Sequence, residues 1–303
     1  MNREKKGIIL AILAAIVSGI SIPANKFFIV NLDPSVFTAV RSVIIGIGFL
    51  AISAYPAVKE HKPFSKAPWK YLIAIAVIGG AAAFWLYFTG LQLTTAGRAA
   101  VLYHTLLSGF TVILAFVFLR EKISRKMVYA IIAMLVGTLI LYISQVPQSQ
   151  LWANPNLGDL MIISASILWS IEYVISRKVM KMGETNFVVS FARMFFGGLI
   201  LFGIVILSGD LGALFVLTIQ QWINILISTV LLFADVLFTY WSIRYINVSK
   251  VATLLLLAPI ISLVGGALLL GEPTPLLQLV GSAIMLASAY FVIGVRSESQ
   301  KKT

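Results

Sequence analysis

Long apolar runs separated by short polar joints fill the chain from one end to the other. Read at the length an α-helix needs to cross about 30 Å of hydrocarbon, the pattern predicts ten spans, at roughly 7–26, 35–55, 69–92, 98–119, 127–145, 157–177, 187–207, 220–243, 250–270 and 276–295. Two stretches share one layout: Arg98 to Glu121 and Ser249 to Pro275 are each an apolar run with a glutamate toward the far end, followed by another apolar segment. Arg41 precedes Gly46 by five residues, as Arg193 precedes Gly198. Glu121 lies 80 positions after Arg41, and Glu272 lies 79 after Arg193. Register kept over most of two halves is the mark of an internal repeat. The expected organisation is a first five-helix repeat at 1–146, an outer linker at 147–156, and a second five-helix repeat with a short cytoplasmic tail at 157–303. Five spans is an odd number, so the second half enters the membrane from the opposite side. The fold class expected is an all-α integral membrane protein of ten transmembrane helices, built as two inverted five-helix repeats. Such halves can rock against each other around a site near the midplane.

Composition narrows the class. With 60% hydrophobic residues and only 11% charged, the chain is more apolar than burying one soluble core requires. The net charge of +12 raises nucleic acid as a partner. The basic residues, however, are dispersed at span ends rather than gathered with aromatics on a polar face, so none is expected. If the N-terminus is cytoplasmic, 19 of the 23 lysines and arginines fall on inner segments. The expectation is therefore a multi-pass cell-membrane protein with both termini cytoplasmic. The first run follows Arg3, Lys5 and Lys6 but is long enough to be a retained span rather than a signal peptide. The absence of cysteine removes disulfides and thiolate metal sites. No connection is much longer than about a dozen residues, which leaves little room for an enzyme built on loops.

Candidate chemistry lies where charge enters a span, because an ionisable group at the bilayer centre costs about 2.5–3.5 kcal/mol on insertion scales. Five side chains qualify: Arg41, His104, Glu172, Arg193 and Asp235. Glu172 and Asp235 have no opposite charge nearby on their own helices. Either they line a polar cavity and hold a cationic group or a proton, or they pair with Arg41 or Arg193 and lock helices together. The two arginines occupy equivalent places in the halves and are read as snorkelling or structural, with a carboxylate clamp as the alternative. His104, beside Tyr103 and one turn before Ser108, is a hydrogen-bonding or substrate-facing histidine or a packed one. It lacks the orienting acid and oxyanion motif of a catalytic pair. In corresponding spans a shift of 151 sets Phe84 against Asp235 and Tyr87 against Phe238, which makes Phe84, Tyr87 and Phe238 candidates for a solute pocket. Pro23 and Pro259 each remove a backbone donor in mid-membrane, which is tolerated at a kink or beside a cavity.

The second half contains APIISLVGGALLLGEPTPLLQLVGSAIMLASAY, with Pro259, Glu272 and Gly281 in sequence. The first contains YHTLLSGFTVILAFVFLREKISRKMVYAIIAMLVGTLIL, with Glu121 and Gly137 but Ser108 in place of the proline. This layout resembles the EamA-type members of the drug/metabolite transporter superfamily over nearly the whole chain. The resemblance implies alternating-access transport of a small organic solute, commonly an amino acid or other metabolite, often outward across the cytoplasmic membrane. It also implies a central cavity lined by spans one, three, four, six, eight and nine, with spans five and ten peripheral. On that picture Tyr103, His104, Glu172 and Asp235 stand on cavity helices, and Ser108 leaves open whether span four bends as span nine does.

The function expected is secondary transport of a small, zwitterionic or partly aromatic metabolite. Asp235 and Glu172 would hold its amine or the coupling proton, while Phe84, Tyr87 and Trp169 would cover its apolar part. Another solute class (nucleotide, sugar or cationic drug) and a non-transporting scaffold are the alternatives. An intramembrane enzyme would need motifs such as GxSG, GxGD or HExxH, which the sequence lacks. No cofactor or metal is called for. The partners expected are the solute and the lipid bilayer, with the chain a monomer or homodimer.

Overall fold

Caps and breakers set the helix ends. The computed structural model describes residues 2–60, 67–94, 96–145, 156–270 and 276–295. Glu272, the proposed linker at 147–155 and the basic residues of the tail lie outside these described residues. Helix α1 (Arg3–Phe28) begins where the Asn2 side chain accepts from the Glu4 N–H at 3.2 Å. Helix α2 (Pro34–Glu60) begins with Asp33 accepting from the Val36 N–H at 2.8 Å and proline in its first turn. Then follow α3 (Trp69–Leu93), α4 (Ala96–Leu119), α5 (Arg125–Gln145), α6 (Leu157–Lys181), α7 (Asn186–Leu207) and α8 (Ile219–Tyr245). Helix α9 comes in two pieces, Val248–Leu255 and Ala258–Leu270, and α10 is Leu276–Gly294. Among the described residues there is no strand, and eight helices are long and apolar enough to cross a membrane, with a shorter apolar helix at Val248–Val264.

The two prolines behave differently. Pro23 lacks the N–H that would bond the Gly19 carbonyl, yet α1 runs through it unbroken. Ser262 of α9 donates its hydroxyl to that carbonyl at 2.6 Å and satisfies the freed acceptor. Pro259 follows a true interruption at Leu256–Leu257, where the N–H groups reach back only three residues, to Thr253 and Leu254. Helix α4, with Ser108 in the corresponding place, is continuous from Ala96 to Leu119. A serine keeps its backbone donor and forces no break.

The halves pack by one plan. Helix α1 lies on α8 as α6 lies on α3, and α4 lies on α6 as α9 lies on α1. Across the halves α2 meets α7, α4 meets α9 and α5 meets α10. Exchanging the first five helices for the last five maps this set of contacts onto itself. Polarity is distributed as a membrane solvent demands: Phe118 and Tyr290 are 71% and 75% exposed, whereas Arg41, Ser170 and Glu172 are fully buried.

One end of the bundle, that of the α1 N-terminus, is locked. Arg120 takes a left-handed conformation (φ 52°) at the end of α4 and turns the chain so that Glu121 reaches α9. The Glu121 carboxylate accepts from the Val248 and Ser249 N–H groups at 3.0 and 3.2 Å and from the Ser249 hydroxyl at 2.6 Å. It satisfies donors that the first turn of a helix leaves free. Arg177 of α6 donates to the Ile243 and Arg244 carbonyls at the end of α8. Ser242 donates to the Gly7 carbonyl at 2.7 Å, and Lys250 pairs with Glu4 at 3.1 Å. Glu121→Ala is expected to lose about 1–3 kcal/mol, because it strands buried donors. Thermal unfolding in detergent checks this, and an unchanged midpoint would remove Glu121 from the lock.

Candidate functional site

Between the halves is a small cavity of about 50 Å³. Its walls come from six helices. Helix α1 supplies the small polar side chains Ser18, Ser21 and Asn25, and α3 supplies Phe84, Tyr87 and Phe88. Tyr103 comes from α4, Trp169 and Tyr173 from α6, Arg193 from α7, and Leu232 and Asp235 from α8. Ser18, Ser21 and Asn25 recur at helical spacing within an apolar run, so their common face was readable from the sequence. The candidates named there left them out.

The aromatic wall is one packed cluster. The Trp169 ring lies 5.1 Å from Tyr103, 5.2 Å from Phe84 and 5.3 Å from Tyr87, the last two tyrosines standing 5.4 Å apart. Edge-to-face contacts of this kind hold aromatic planes in fixed orientation. Trp169 is anchored further by donating its indole N–H to the Gly79 carbonyl at 2.9 Å. Gly79 belongs to a wide π-type turn at Ala76–Ala82 in α3, and α7 has another at Ala192–Phe196. Such turns release carbonyls from the ordinary ladder and are frequent at functional sites.

The two wide turns meet. A Cβ on Gly80 would lie 2.0 Å from the Arg193 carbonyl oxygen, and one on Gly79 would lie 2.2 Å from Cγ of Glu172. Two consecutive glycines therefore let α6 and α7 close on α3 and bring Glu172 to Arg193. The Arg193 Nε lies 3.7 Å from Oε2 of Glu172. The other carboxylate oxygen of Glu172 accepts from Tyr240 and from Ser176, each at 2.5 Å. Arg193 also lies over the rings of Phe84 and Tyr240 at 5.0 and 5.4 Å, a favourable place for a cation.

Asp235 is placed otherwise. It lines the cavity, is half-buried, and has no hydrogen-bond or ion-pair partner among the described residues. Arg41 is fully buried just behind the wall, its guanidinium between the rings of Phe37 and Phe88 at 4.0 and 4.5 Å. Its Nη1 donates to Ser228 at 2.5 Å and to Asn25 at 3.5 Å, and its Nε to the Phe37 carbonyl at 3.3 Å.

Of the residues singled out in the sequence, Phe84, Tyr87, Tyr103, Trp169, Asp235 and Arg193 come together on the cavity. Glu172 does not line it: it is fully buried, and its carboxylate is engaged by Arg193, Ser176 and Tyr240. His104 is 1% exposed and packed behind Tyr103, with Nε2 3.5 Å from the Ser18 hydroxyl. Phe238 is half-buried in the packed interior, one turn beyond Asp235. Pro23 and Pro259 stand outside the lining, at the contact between α1 and α9. Ser176, Ser228 and Tyr240, which hold the charged groups, carried no signal in the sequence, since hydroxyls are common in packed spans. Among the described residues no group of three His, Asp or Glu side chains is placed to hold a metal ion.

Comparison with known proteins bears on the whole chain. The profile of the EamA-like transporter family matches twice, at residues 5–143 and 156–294. An uncharacterized transporter of Methanothermobacter thermautotrophicus (strain Delta H) is 25% identical, the match covering 96% of this chain and 87% of that protein. The uncharacterized transporter YyaM of Bacillus subtilis (strain 168) is 22% identical over 93% of this chain and 91% of its own length. A solved crystal structure superposes with a TM-score of 0.72 at 17% identity, covering 95% of this chain and 96% of the other, and shows a shared fold.

Proposed function

Because the chain belongs to the EamA-like transporter family, we propose that it is a secondary transporter that carries a small zwitterionic metabolite with an apolar side chain. The solute is an amino acid or a close relative, exported across the cytoplasmic membrane by alternating access. The observation that carries the substrate class is Asp235, a carboxylate with no hydrogen-bond or ion-pair partner among the described residues, facing a cavity walled by aromatic rings. An unpaired acid inside a membrane is costly unless it serves a cation. The ammonium group of the solute would meet Asp235, and Phe84, Tyr87, Tyr103 and Trp169 would cover its apolar part. Glu172 would act indirectly, by holding Arg193 in the wall.

Alternating access is supported by the exchange symmetry of the packing. It is supported also by the lock of Glu121, Arg177 and Ser242 at one end of the bundle. We read the ten helices as ten crossings in two inverted halves, with both termini cytoplasmic as the distribution of lysine and arginine requires. Rocking one half would open the locked end and close the other.

Counterflow in proteoliposomes tests this. With a mixture of amino acids inside, accumulation of an externally added labelled amino acid is the expected result. Absence of accumulation for every amino acid, with folded protein present, would overturn the substrate class. A cationic amphiphile is the second reading, since the same carboxylate and rings would suit it. Accumulation of labelled amines but of no amino acid would select it.

A further inference from the structure

Behind the cavity wall stands a second charged group that the transport reading leaves unused, and its chemistry suits an anion. Arg41 is 0% exposed and has no carboxylate within ion-pairing distance among the described residues. Its contacts are the neutral oxygens of Ser228, Asn25 and the Phe37 backbone, and its Nη2 has no hydrogen-bond partner. Arg193, at the equivalent place in the other half, has Glu172. A buried guanidinium with a donor to spare and no counter-charge is a site prepared for an anion, because such a charge is strongly destabilising when left alone.

Arg41 shares neighbours with the cavity. Asn25 and Phe88 touch Arg41 and also line the cavity, and Asn25 holds Nη1 at only 3.5 Å. Tyr87, also in the lining, is an electrostatic neighbour of both Arg41 and Asp235. Ser228 and Asp235 are seven residues apart on α8, which places them on the same face about 10 Å apart along the axis. A molecule with its ammonium group at Asp235 and its carboxylate toward Ser228 and Arg41 would lie along one face of α8.

We propose that Arg41, with Asn25 and Ser228 as its cradle, is the site that receives the carboxylate of the transported solute. The inference rests on the reading of the cavity as an amino-acid site with the amine at Asp235. On binding, the solute carboxylate takes the place of Asn25 on the guanidinium and fills the free Nη2. A molecule without the carboxylate leaves the site unfilled.

The test is competition against counterflow in proteoliposomes, using the protein amino acids and the amines made from them by decarboxylation, with wild type, Arg41→Gln and Arg41→Lys. The wild type is expected to prefer an amino acid over its amine by tenfold or more. Arg41→Gln is expected to weaken the amino acid by ten- to a hundredfold while the amine stays within about twofold, which also reports an intact cavity. Arg41→Lys, which keeps the charge but loses the fork, is expected to fall between them and serves if Arg41→Gln does not fold. An unchanged preference for the amino acid in both variants would overturn the Arg41 site and leave the transport reading standing. Exchange of amines alone by the wild type would overturn the site and turn the function to cations. Exchange of neither would remove both readings.

Discussion

Asp235→Asn is expected to abolish most transport at neutral pH. Truncating one partner of a desolvated charge pair costs about 2–5 kcal/mol, which is roughly thirtyfold to a few thousandfold in affinity. The structure points to the upper part of this range, because among the described residues no other carboxylate lines the cavity to substitute, and Glu172 is turned to Arg193. The pH profile is the sharper readout. In the wild type the carboxylate must be ionised to hold an ammonium group, so counterflow falls as pH drops and Asp235 takes up a proton. Asparagine has no such proton, so the acidic limb of the profile should vanish along with most of the flux. A variant with wild-type flux and an unaltered profile would remove Asp235 from the site.

The largest effect on stability is expected at Glu172. Glu172→Ala takes the ion-pair partner from the guanidinium of Arg193, 5% exposed, and strands the hydroxyls of Ser176 and Tyr240. Breaking a buried ion pair from one side costs about 3–5 kcal/mol, on the order of 10 °C in the unfolding midpoint. Removing the partner as well should restore much of it, since Glu172→Ala with Arg193→Met has no unpaired charge to bury. Thermal unfolding of the purified protein in detergent decides between the outcomes. A single variant as stable as wild type, or a double variant as damaged as the single one, would show that Glu172 does not hold Arg193.

The membrane class and the all-helical architecture were legible in the sequence because an apolar run of about twenty residues has few other solutions in a bilayer. The repeat was legible too, through the matched spacing of arginine, glycine and glutamate in the halves. Asp235 and the rings of Phe84, Tyr87, Tyr103 and Trp169 were among the candidates named from the sequence, and the acid stands out because charges inside spans are few.

Which of these side chains face one another was not legible. Arg41 and Arg193 are equivalent by position, yet one meets a carboxylate and the other only neutral oxygens. The difference arises on other helices, at Glu172, Asn25 and Ser228. Glu172 and Asp235 read alike as lone acids, and the approach allowed by Gly79 and Gly80 turned one toward Arg193 and left the other in the cavity. Pro23 and Pro259 carry the same local penalty, yet Ser262, far away in sequence, satisfies the carbonyl that Pro23 frees in α1, which stays whole, whereas α9 is interrupted just before Pro259. By itself the sequence determined the solvent, the number and period of the apolar segments and the residue types available for binding, because these depend on burial and local backbone chemistry alone. The tertiary structure decided the pairings, because a partner for a buried charge or a freed carbonyl can come from any helix that packing brings within about 3 Å.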